Sequence, residues 1–175
     1  MNAQSFDRGY KLSSNFSLGM LFGSSTKDVY DQNGLTKQQI VCNLSQLATN
    51  ILEPYLQVLP GGIGGYGKQW TITSGFRPAS IGSSTSDHPI GRACDIQLLG
   101  TNNSGQNHYD IVQKLERIVP YDQIILEYRT PGSVWIHTSF RGLNAGDTYG
   151  PGSGNRKMAF TMLNDKTYGQ GFILL

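Results

Sequence analysis

The sequence is short of charged residues and of long apolar runs, and each shortage excludes a class of protein. Only 15% of the 175 residues are charged and the formal net charge is +2, which is too small to favour nucleic acid or an anionic membrane as a partner. No run of about 18 apolar residues occurs, so we expect no membrane-spanning helix. The N-terminal residues lack a charged stretch followed by an apolar run, so no signal peptide is predicted.

Cysteine is also scarce, with only Cys42 and Cys94 in the chain. The two are far apart and form no CxxC pair, which favours two buried thiols in a reducing compartment over a single disulfide. Apolar residues make up 38% of the sequence, and a chain of this length can bury roughly 70% of its unfolded surface. We therefore predict one folded unit with a core of its own.

Two helices are predicted from hydrophobic periodicity. The first begins near Lys37, where Thr36 and Gln39 fit a capping box, and Pro54 should kink or end it. Its inward residues are Ile40, Leu44, Leu47 and Ile51. The second helix spans residues 107–118, and its inward residues are Ile111, Val112, Leu115 and Ile118.

Five further segments are rich in β-branched and aromatic residues and are bounded by Gly, Pro, Asn or Asp, which predicts strands. They are residues 69–76, 94–99, 123–128, 134–140 and 158–163. Glycine is abundant at 22 residues, and its clusters at 60–67 and 142–171 predict loops. The predicted fold class is α+β, an antiparallel sheet with helices packed on one side.

Only three histidines occur, and two of them have an unusual sequence context. His88 lies in the segment SDHPIGRACD at residues 86–95, and His137 lies in a predicted strand. Catalytic zinc sites use three protein ligands plus water, and they readily take imidazole nitrogen and carboxylate oxygen. A loop that turns at Gly91 and continues into a strand can bring His88 and Asp95 to one point, where His137 would complete the set. Taken singly, each histidine would be better explained as an ordinary hydrogen-bonded side chain.

The pattern SxHxxGxAxD within residues 86–95 fixes five positions, and a chance match in a chain of this length has odds of roughly one in twenty thousand. It resembles the metal-site motif of the zinc D-Ala-D-Ala carboxypeptidases and their phage endopeptidase relatives, which share a fold with the hedgehog signalling domain. Residues 135–137 (WIH), 73–78 (TSGFRP) and 50–54 (NILEP) are similar to further segments of that family. The metal-bearing sheet would then have the hedgehog-type fold.

The resemblance covers roughly residues 12–140. We therefore take residues 1–140, including the N-terminal helix, as a zinc-peptidase-like domain. Residues 141–175 form a Gly-rich C-terminal extension that packs on this domain or protrudes from it. The extension carries aromatic residues that are expected to be exposed, namely Tyr149, Phe160, Tyr168 and Phe172.

The resemblance implies that one zinc ion is bound by His88, Asp95 and His137. Arg77 would lie near the ion and bind a substrate carboxylate or stabilise a tetrahedral oxyanion, with a surface ion pair as the alternative. Ser86 would either hydrogen-bond the substrate or simply shape its loop.

Other conspicuous residues have plainer interpretations. Trp135 is expected in the core or in the pocket wall, where it would contact substrate. His108 is expected on the surface at the start of the second helix. Asp87 and Asp122 are expected to be turn and cap residues rather than ligands.

The general base is the least conventional assignment. Many members of the family place an acidic residue shortly before the last histidine ligand, but residues 131–136 contain none. Glu127 is the substitute, because a turn centred on Gly132 would place it directly opposite His137, with Cβ atoms roughly 5 Å apart. A slip of one residue would move Glu127 to the other face, and an exposed hairpin charge is the alternative.

The sequence thus predicts a zinc metallopeptidase that hydrolyses a peptide bond in bacterial peptidoglycan, as a D-Ala-D-Ala carboxypeptidase or an endopeptidase. Glu127 would act as base and Arg77 would offset negative charge. The expected partners are peptidoglycan stem peptides and, in a phage particle, other virion proteins.

Without a signal peptide, the chain would be made in the cytoplasm. It would then be carried on a phage tail or delivered to the periplasm or cell wall by other proteins. The extension also suits an alternative, a phage tail or baseplate component that uses the same fold with or without hydrolysis. A metal-bearing binding module without catalysis is a third possibility.

Overall fold

The computed structural model describes residues 6–22, 26, 28–81, 85–130, 133–152, 154–163 and 167–175. Within them the chain has a mixed α+β fold, which confirms the predicted class. The strands are β1 (Trp70–Ser74), β2 (Ala93–Leu98), β3 (Gln123–Thr130), β4 (Ser133–Ser139), β5 (Met158–Met162) and β6 (Tyr168–Gln170). The helices are α1 (Lys37–Leu47), α2 (Glu53–Tyr55) and α3 (Gly105–Ile118), with a π-helical turn (Ala48–Leu52) joining α1 to α2.

The first helix begins where the sequence predicts. The Thr36 side chain accepts a hydrogen bond from the Gln39 backbone N–H, and the Gln39 side chain accepts from the Thr36 N–H, which confirms the capping box. Its predicted inward residues are all fully buried: Ile40, Leu44, Leu47 and Ile51. The helical run continues one residue beyond Pro54 and ends at Tyr55. Proline has no backbone N–H, and it is tolerated in the first turn of α2 because that position needs no N–H partner.

The second long helix, α3, begins two residues earlier than predicted. Ser104 is its N-cap, and the Ser104 hydroxyl accepts a hydrogen bond from the Asn107 backbone N–H at 3.1 Å. Ile118, predicted to face inward, is 40% exposed in the last turn. The remaining three predicted inward residues are buried: Ile111, Val112 and Leu115.

His108 is fully buried, so its predicted surface position is wrong. Its Nε2 accepts a hydrogen bond from the Leu98 backbone N–H at 3.2 Å, and its Nδ1–H donates to the Ser104 carbonyl at 2.7 Å. The imidazole therefore links α3 to the end of β2.

The six strands form one sheet in the order β1-β2-β4-β3-β5-β6. Four of the five strand pairs are antiparallel, as predicted, but β3 and β5 are parallel. The parallel pair arises because the chain leaves β4 and crosses to the far side of β3 before it forms β5. Strands β5 and β6 lie in the C-terminal extension, so this segment contributes a third of the strands of the sheet.

The sheet has two different faces, because side chains alternate along each strand. One face carries Ile96, Leu126 and Ile136, which join apolar residues of α1 and α3 in one buried cluster. The opposite face carries Asp95 and His137. The long helices therefore cover one face, and the other face is free to carry a site. None of the described helices is long and apolar enough to cross a membrane.

Candidate metal centre

His88 is positioned by a tight turn that packs against α1. The 3-10 helix His88–Ile90 ends at Gly91, whose φ of 75° lies in the left-handed region. A Cβ at Gly91 would lie 2.7 Å from the Ile40 carbonyl oxygen, so only glycine lets the turn approach the helix this closely. The Ser86 Oγ accepts a hydrogen bond from the His88 backbone N–H at 3.3 Å, which helps to fix the start of the turn.

Asp95 and His137 are positioned by strand pairing. They lie directly opposite each other on β2 and β4, so their side chains share one face of the sheet and meet at short range. The turn that carries His88 leads through Gly91 into β2, which brings its imidazole to the same face.

The three side chains converge on one point. His88 Nε2 lies 3.2 Å from both His137 Nδ1 and Asp95 Oδ1, and His137 Nδ1 lies 2.9 Å from the same oxygen. The His88 Nδ1–H donates to the Gly75 carbonyl at 2.7 Å, which leaves Nε2 free to act as a ligand. All three residues are buried.

This triangle of atoms fits a metal ion. Ligand atoms in a tetrahedral zinc site are about 3.3 Å apart, given metal–ligand distances near 2.0–2.1 Å. A backbone carbonyl behind one imidazole, here that of Gly75, is a common outer partner of metal-binding histidines. The group of His88, Asp95 and His137 predicted from the sequence could therefore hold a metal ion.

The electrostatics of the centre favour an ionised carboxylate. Burial by itself would raise the pKa of Asp95, but the two imidazoles and their hydrogen bonds hold that pKa well below its usual range. Burial also opposes a charge on His137, yet the hydrogen bond and charge of Asp95 raise the pKa of that imidazole. Because metals bind deprotonated ligands, protons and a metal ion compete for this centre.

The centre opens into a cavity of about 650 Å³, a volume typical of small-ligand sites. Four residues selected from the sequence line this cavity, namely Arg77, Ser86, Glu127 and His137. The structure thus places one candidate ligand, His137, the candidate base and the candidate anion binder around one space.

Glu127 reaches the cavity, although its register differs from the prediction. It pairs with Trp135, whereas His137 pairs with Ile125. The predicted pairing of Glu127 with His137 is wrong by two residues, and a shift of two keeps both side chains on the same face. The predicted turn centre, Gly132, lies outside the described residues.

The environment of Glu127 suits a base. The residue is buried, and this burial raises the pKa of its carboxyl above the usual value. A raised pKa brings a carboxylate closer to the range in which general bases act near neutral pH.

Arg77 follows β1 and lies beside the triad. Its Nη1 is 3.9 Å from Asp95 Oδ2. Its Nε is buried and has no hydrogen-bond partner among the described residues. Arg77 also lines the cavity, so its guanidinium is placed to meet an anionic group there.

Trp135 is not brought to the site. Its ring is half-buried, and the guanidinium carbon of Arg129 lies 5.3 Å from the ring centroid. Among the described residues that line the cavity, Arg129 is present and Trp135 is not. The structure therefore does not support contact of Trp135 with a molecule in this cavity.

Asp87 is the N-cap residue of the 3-10 helix His88–Ile90, as predicted, although its side chain makes no capping hydrogen bond. The carboxylates of Asp87 and Asp122 are buried and form ion pairs. The Asp87 carboxylate lies 3.1 Å from Nη2 of Arg141. The Asp122 carboxylate lies 2.7 Å from Nη2 of Arg156 and 3.2 Å from Nε of Arg141. Neither carboxylate belongs to the metal-ligand group found among the described residues.

The C-terminal extension supplies cavity residues that the sequence did not reveal: Arg141, Arg156, Phe160, Met162 and Tyr168. Tyr168 is 59% exposed, yet it borders the cavity. Isolated arginines carry no pattern that marks a site. Phe160 lies in a predicted strand, but only the unpredicted parallel pairing of β5 with β3 places it opposite Ile125.

No family model matches the chain, and no curated protein matches it significantly. Family membership is therefore a proposal, and it depends on the motif at residues 86–95 and on the geometry of the centre.

Proposed function

We propose that the chain is a zinc-dependent peptidase that hydrolyses a peptide bond in bacterial peptidoglycan and that it derives from a phage. The observation that carries the proposal is the convergence of His88, Asp95 and His137, of which His137 lines a cavity together with Glu127 and Arg77. A hydrolytic zinc site needs three such ligands, room for substrate and a base. The resemblance of residues 86–95 to the zinc D-Ala-D-Ala carboxypeptidases and their phage relatives favours wall peptide as the substrate.

The residues divide the chemistry among them. A zinc ion held by the triad would polarise the scissile carbonyl and acidify the attacking water. Glu127 would accept a proton from that water and return it to the leaving amine. Arg77 would donate hydrogen bonds to the negative charge that develops on the carbonyl oxygen. Ser86, which lines the cavity beside His88, would contact the peptide.

The first test measures metal content and turnover together. We expect elemental analysis to find one zinc ion per chain, and mass spectrometry to find peptide fragments released from purified peptidoglycan. Removal of the metal with a chelator should abolish every product, and added zinc should restore them. Products that persist after chelation would contradict a metal mechanism, and the masses of the products identify the bond that is cut.

The second test isolates the base. Glu127→Gln should keep the zinc but lower kcat by about 10²–10⁴-fold, because an amide cannot accept the proton. Glu116→Gln is the matched control, since Glu116 is an exposed residue of α3 on the other side of the sheet. Full activity of Glu127→Gln with zinc bound would overturn the assignment of the base and leave the metal peptidase intact.

Two other results would change the proposed role. Stoichiometric zinc with no turnover on any wall peptide would replace the peptidase by a metal-bearing binding module. Co-purification with phage particles would make the chain a tail or baseplate component, a role that is compatible with hydrolysis.

A further inference from the structure

The cavity is lined by more positive than negative side chains. The lining cations are Arg77, Arg129, Arg141 and Arg156, and the lining carboxylates are Asp87 and Glu127. Because low-dielectric walls strengthen the field of such a set, the cavity favours an anionic occupant. Two of the arginines, Arg141 and Arg156, lie at the Gln123 end of β3, away from Glu127.

Arg156 is oriented by a buried carboxylate. Asp122 is fully buried and accepts hydrogen bonds from Nε and Nη2 of Arg156 at 2.9 and 2.7 Å, and from its backbone N–H at 3.0 Å. These bonds use one edge of the guanidinium, and no described residue accepts a hydrogen bond from Nη1. The Arg156 side chain remains 43% exposed and borders the cavity. A guanidinium fixed in this way has little entropy left to lose when it binds a carboxylate.

The surrounding carboxylates do not neutralise this end of the cavity. Among the described residues, Arg92, Arg141 and Arg156 share the charges of Asp87 and Asp122 alone. Within that part of the chain, one positive charge of the group is therefore left without a partner. Since Arg92 is fully buried, an anion in the cavity can balance this surplus positive charge only by contacting Arg141 or Arg156.

The sheet register gives the distance between this charge and the candidate metal centre. Arg156 is hydrogen-bonded to Asp122, which lies three positions before Ile125, the residue that pairs with His137. Three residues of a strand span about 10 Å. An extended peptide that lies along β3 with its scissile bond at the metal centre would therefore bring a group about three residues away to Arg156.

We infer that Arg156, oriented by Asp122, binds a carboxylate of the substrate about three residues from the scissile bond. The inference rests on the proposed function and adds a substrate class to it. The preferred substrate is an anionic peptide that carries this carboxylate beyond the residue at the cut. Asp122 acts as a positioning residue, since it contacts the guanidinium and not the peptide.

The test uses a synthetic peptidoglycan stem peptide and a set of derivatives in which each carboxylate in turn is replaced by a carboxamide. We expect one carboxamide, about three residues from the cut, to raise KM about tenfold or more with kcat unchanged, because a charge-assisted pair is lost. Arg156→Gln should raise KM for the parent peptide by a similar factor and should have no further effect on that derivative. Such coupling identifies the two groups as partners.

Two further variants test whether the effect of Arg156→Gln on KM comes from a lost contact with the substrate, from a lower net charge or from a loss of folding. Lys157→Gln removes the same charge from the neighbouring exposed residue and should leave KM unchanged. Arg156→Lys keeps a positive partner for Asp122 but loses the planar fork, so it should remain folded by thermal melting and show an intermediate KM. Equal KM values for the parent peptide with wild type and Arg156→Gln would overturn the inference.

The two proposals fail in different ways. If wild type cleaves wall peptides but every carboxamide and Arg156→Gln behave like the parent, the inference falls and the proposed function stands. If wild type cleaves nothing, the proposed function falls, and calorimetric binding of the same peptides to wild type and Arg156→Gln decides the inference. A carboxylate preference that depends on Arg156 would support it, and the absence of that preference would overturn it.

Discussion

His108 has two ring nitrogens with different partners, which requires a neutral imidazole. Nε2 accepts from the Leu98 backbone N–H, and Nδ1–H donates to the Ser104 carbonyl. Burial lowers the pKa of this histidine below its usual value. A proton on Nε2 would place two donors against each other and break the link between α3 and β2.

We predict that part of the folding stability is lost as the pH falls through about 6.5, because the unfolded chain then binds a proton that the folded His108 does not. The change cannot exceed about 1.4 kcal/mol per pH unit for one group. Urea unfolding of wild type and His108→Gln across this range, both in chelator, measures it. The other two histidines are present in both proteins, so the difference in pH slope between the proteins reports His108, and equal slopes would refute its role.

The candidate ligands could be predicted from the sequence and His108 could not, for a physical reason. His88 and Asp95 lie in one short motif whose spacing reflects a turn and a strand start. The role of His108 depends on the Leu98 backbone N–H, and no side-chain pattern in the sequence reports where a backbone donor will lie. A lone histidine near a helix start therefore resembles a surface residue until the packing is known.

The turn that carries His88 depends on its close approach to α1, and we predict that Gly91→Ala will disturb both folding and metal affinity. Alanine would be strained at a φ of 75°, which costs about 1–2 kcal/mol. Its Cβ would also meet the Ile40 carbonyl at 2.7 Å, and relief of this contact costs about 1–3 kcal/mol more. Urea unfolding and zinc titration measure the two effects.

Gly34 provides the matched control for Gly91. It has the same φ of 75°, but no heavy atom lies within 4 Å of a Cβ placed there. Gly34→Ala should therefore show only the conformational cost, with unchanged zinc affinity. Equal losses of stability for the two variants would mean that the contact with α1 contributes nothing.

At the level of elements, local sequence signals predicted the start of α1 well, but they did not predict the register of β3 on β4 or the parallel pair of β3 and β5. The capping box at Thr36 located the start of α1, because its hydrogen bonds form within one turn. The register of β3 on β4 was predicted two residues away from the one observed, since turn composition does not specify where pairing begins. β6 has only three residues around Gly169, too few to show alternation. The parallel pairing of β5 with β3 depends on a crossover that no local pattern encodes.

Across the whole molecule, the two faces of the sheet differ in role: one packs into the core, and the other borders the cavity at the candidate metal centre. Leu126 faces the helices and belongs to the main buried cluster. Its neighbour Ile125 faces the cavity and pairs with His137. Both side chains are largely shielded from solvent, so burial alone does not distinguish them, whereas the face of the sheet does.

We predict that alanine substitutions at these two adjacent positions will have different effects on stability and on KM. Leu126→Ala should cost about 2–5 kcal/mol of stability, because it leaves a void in a closed core, and should keep KM unchanged while the protein is folded. Ile125→Ala should cost no more than about 2 kcal/mol, since water can enter from the cavity, and should raise KM for wall peptide. Urea unfolding and steady-state kinetics measure both.

The pair is informative because the two residues share a strand, a neighbourhood and nearly the same apolar volume. A difference between them therefore reports the face and not β-propensity or position along β3. If Leu126→Ala raised KM while the protein was fully folded, a change of packing on the core face of the sheet would alter the cavity on the other face. Unchanged kinetics for Ile125→Ala would mean that the peptide does not lie along β3. In that case the separation of about three residues between the cut and Arg156 would lose its basis as well, because it is counted along the same strand.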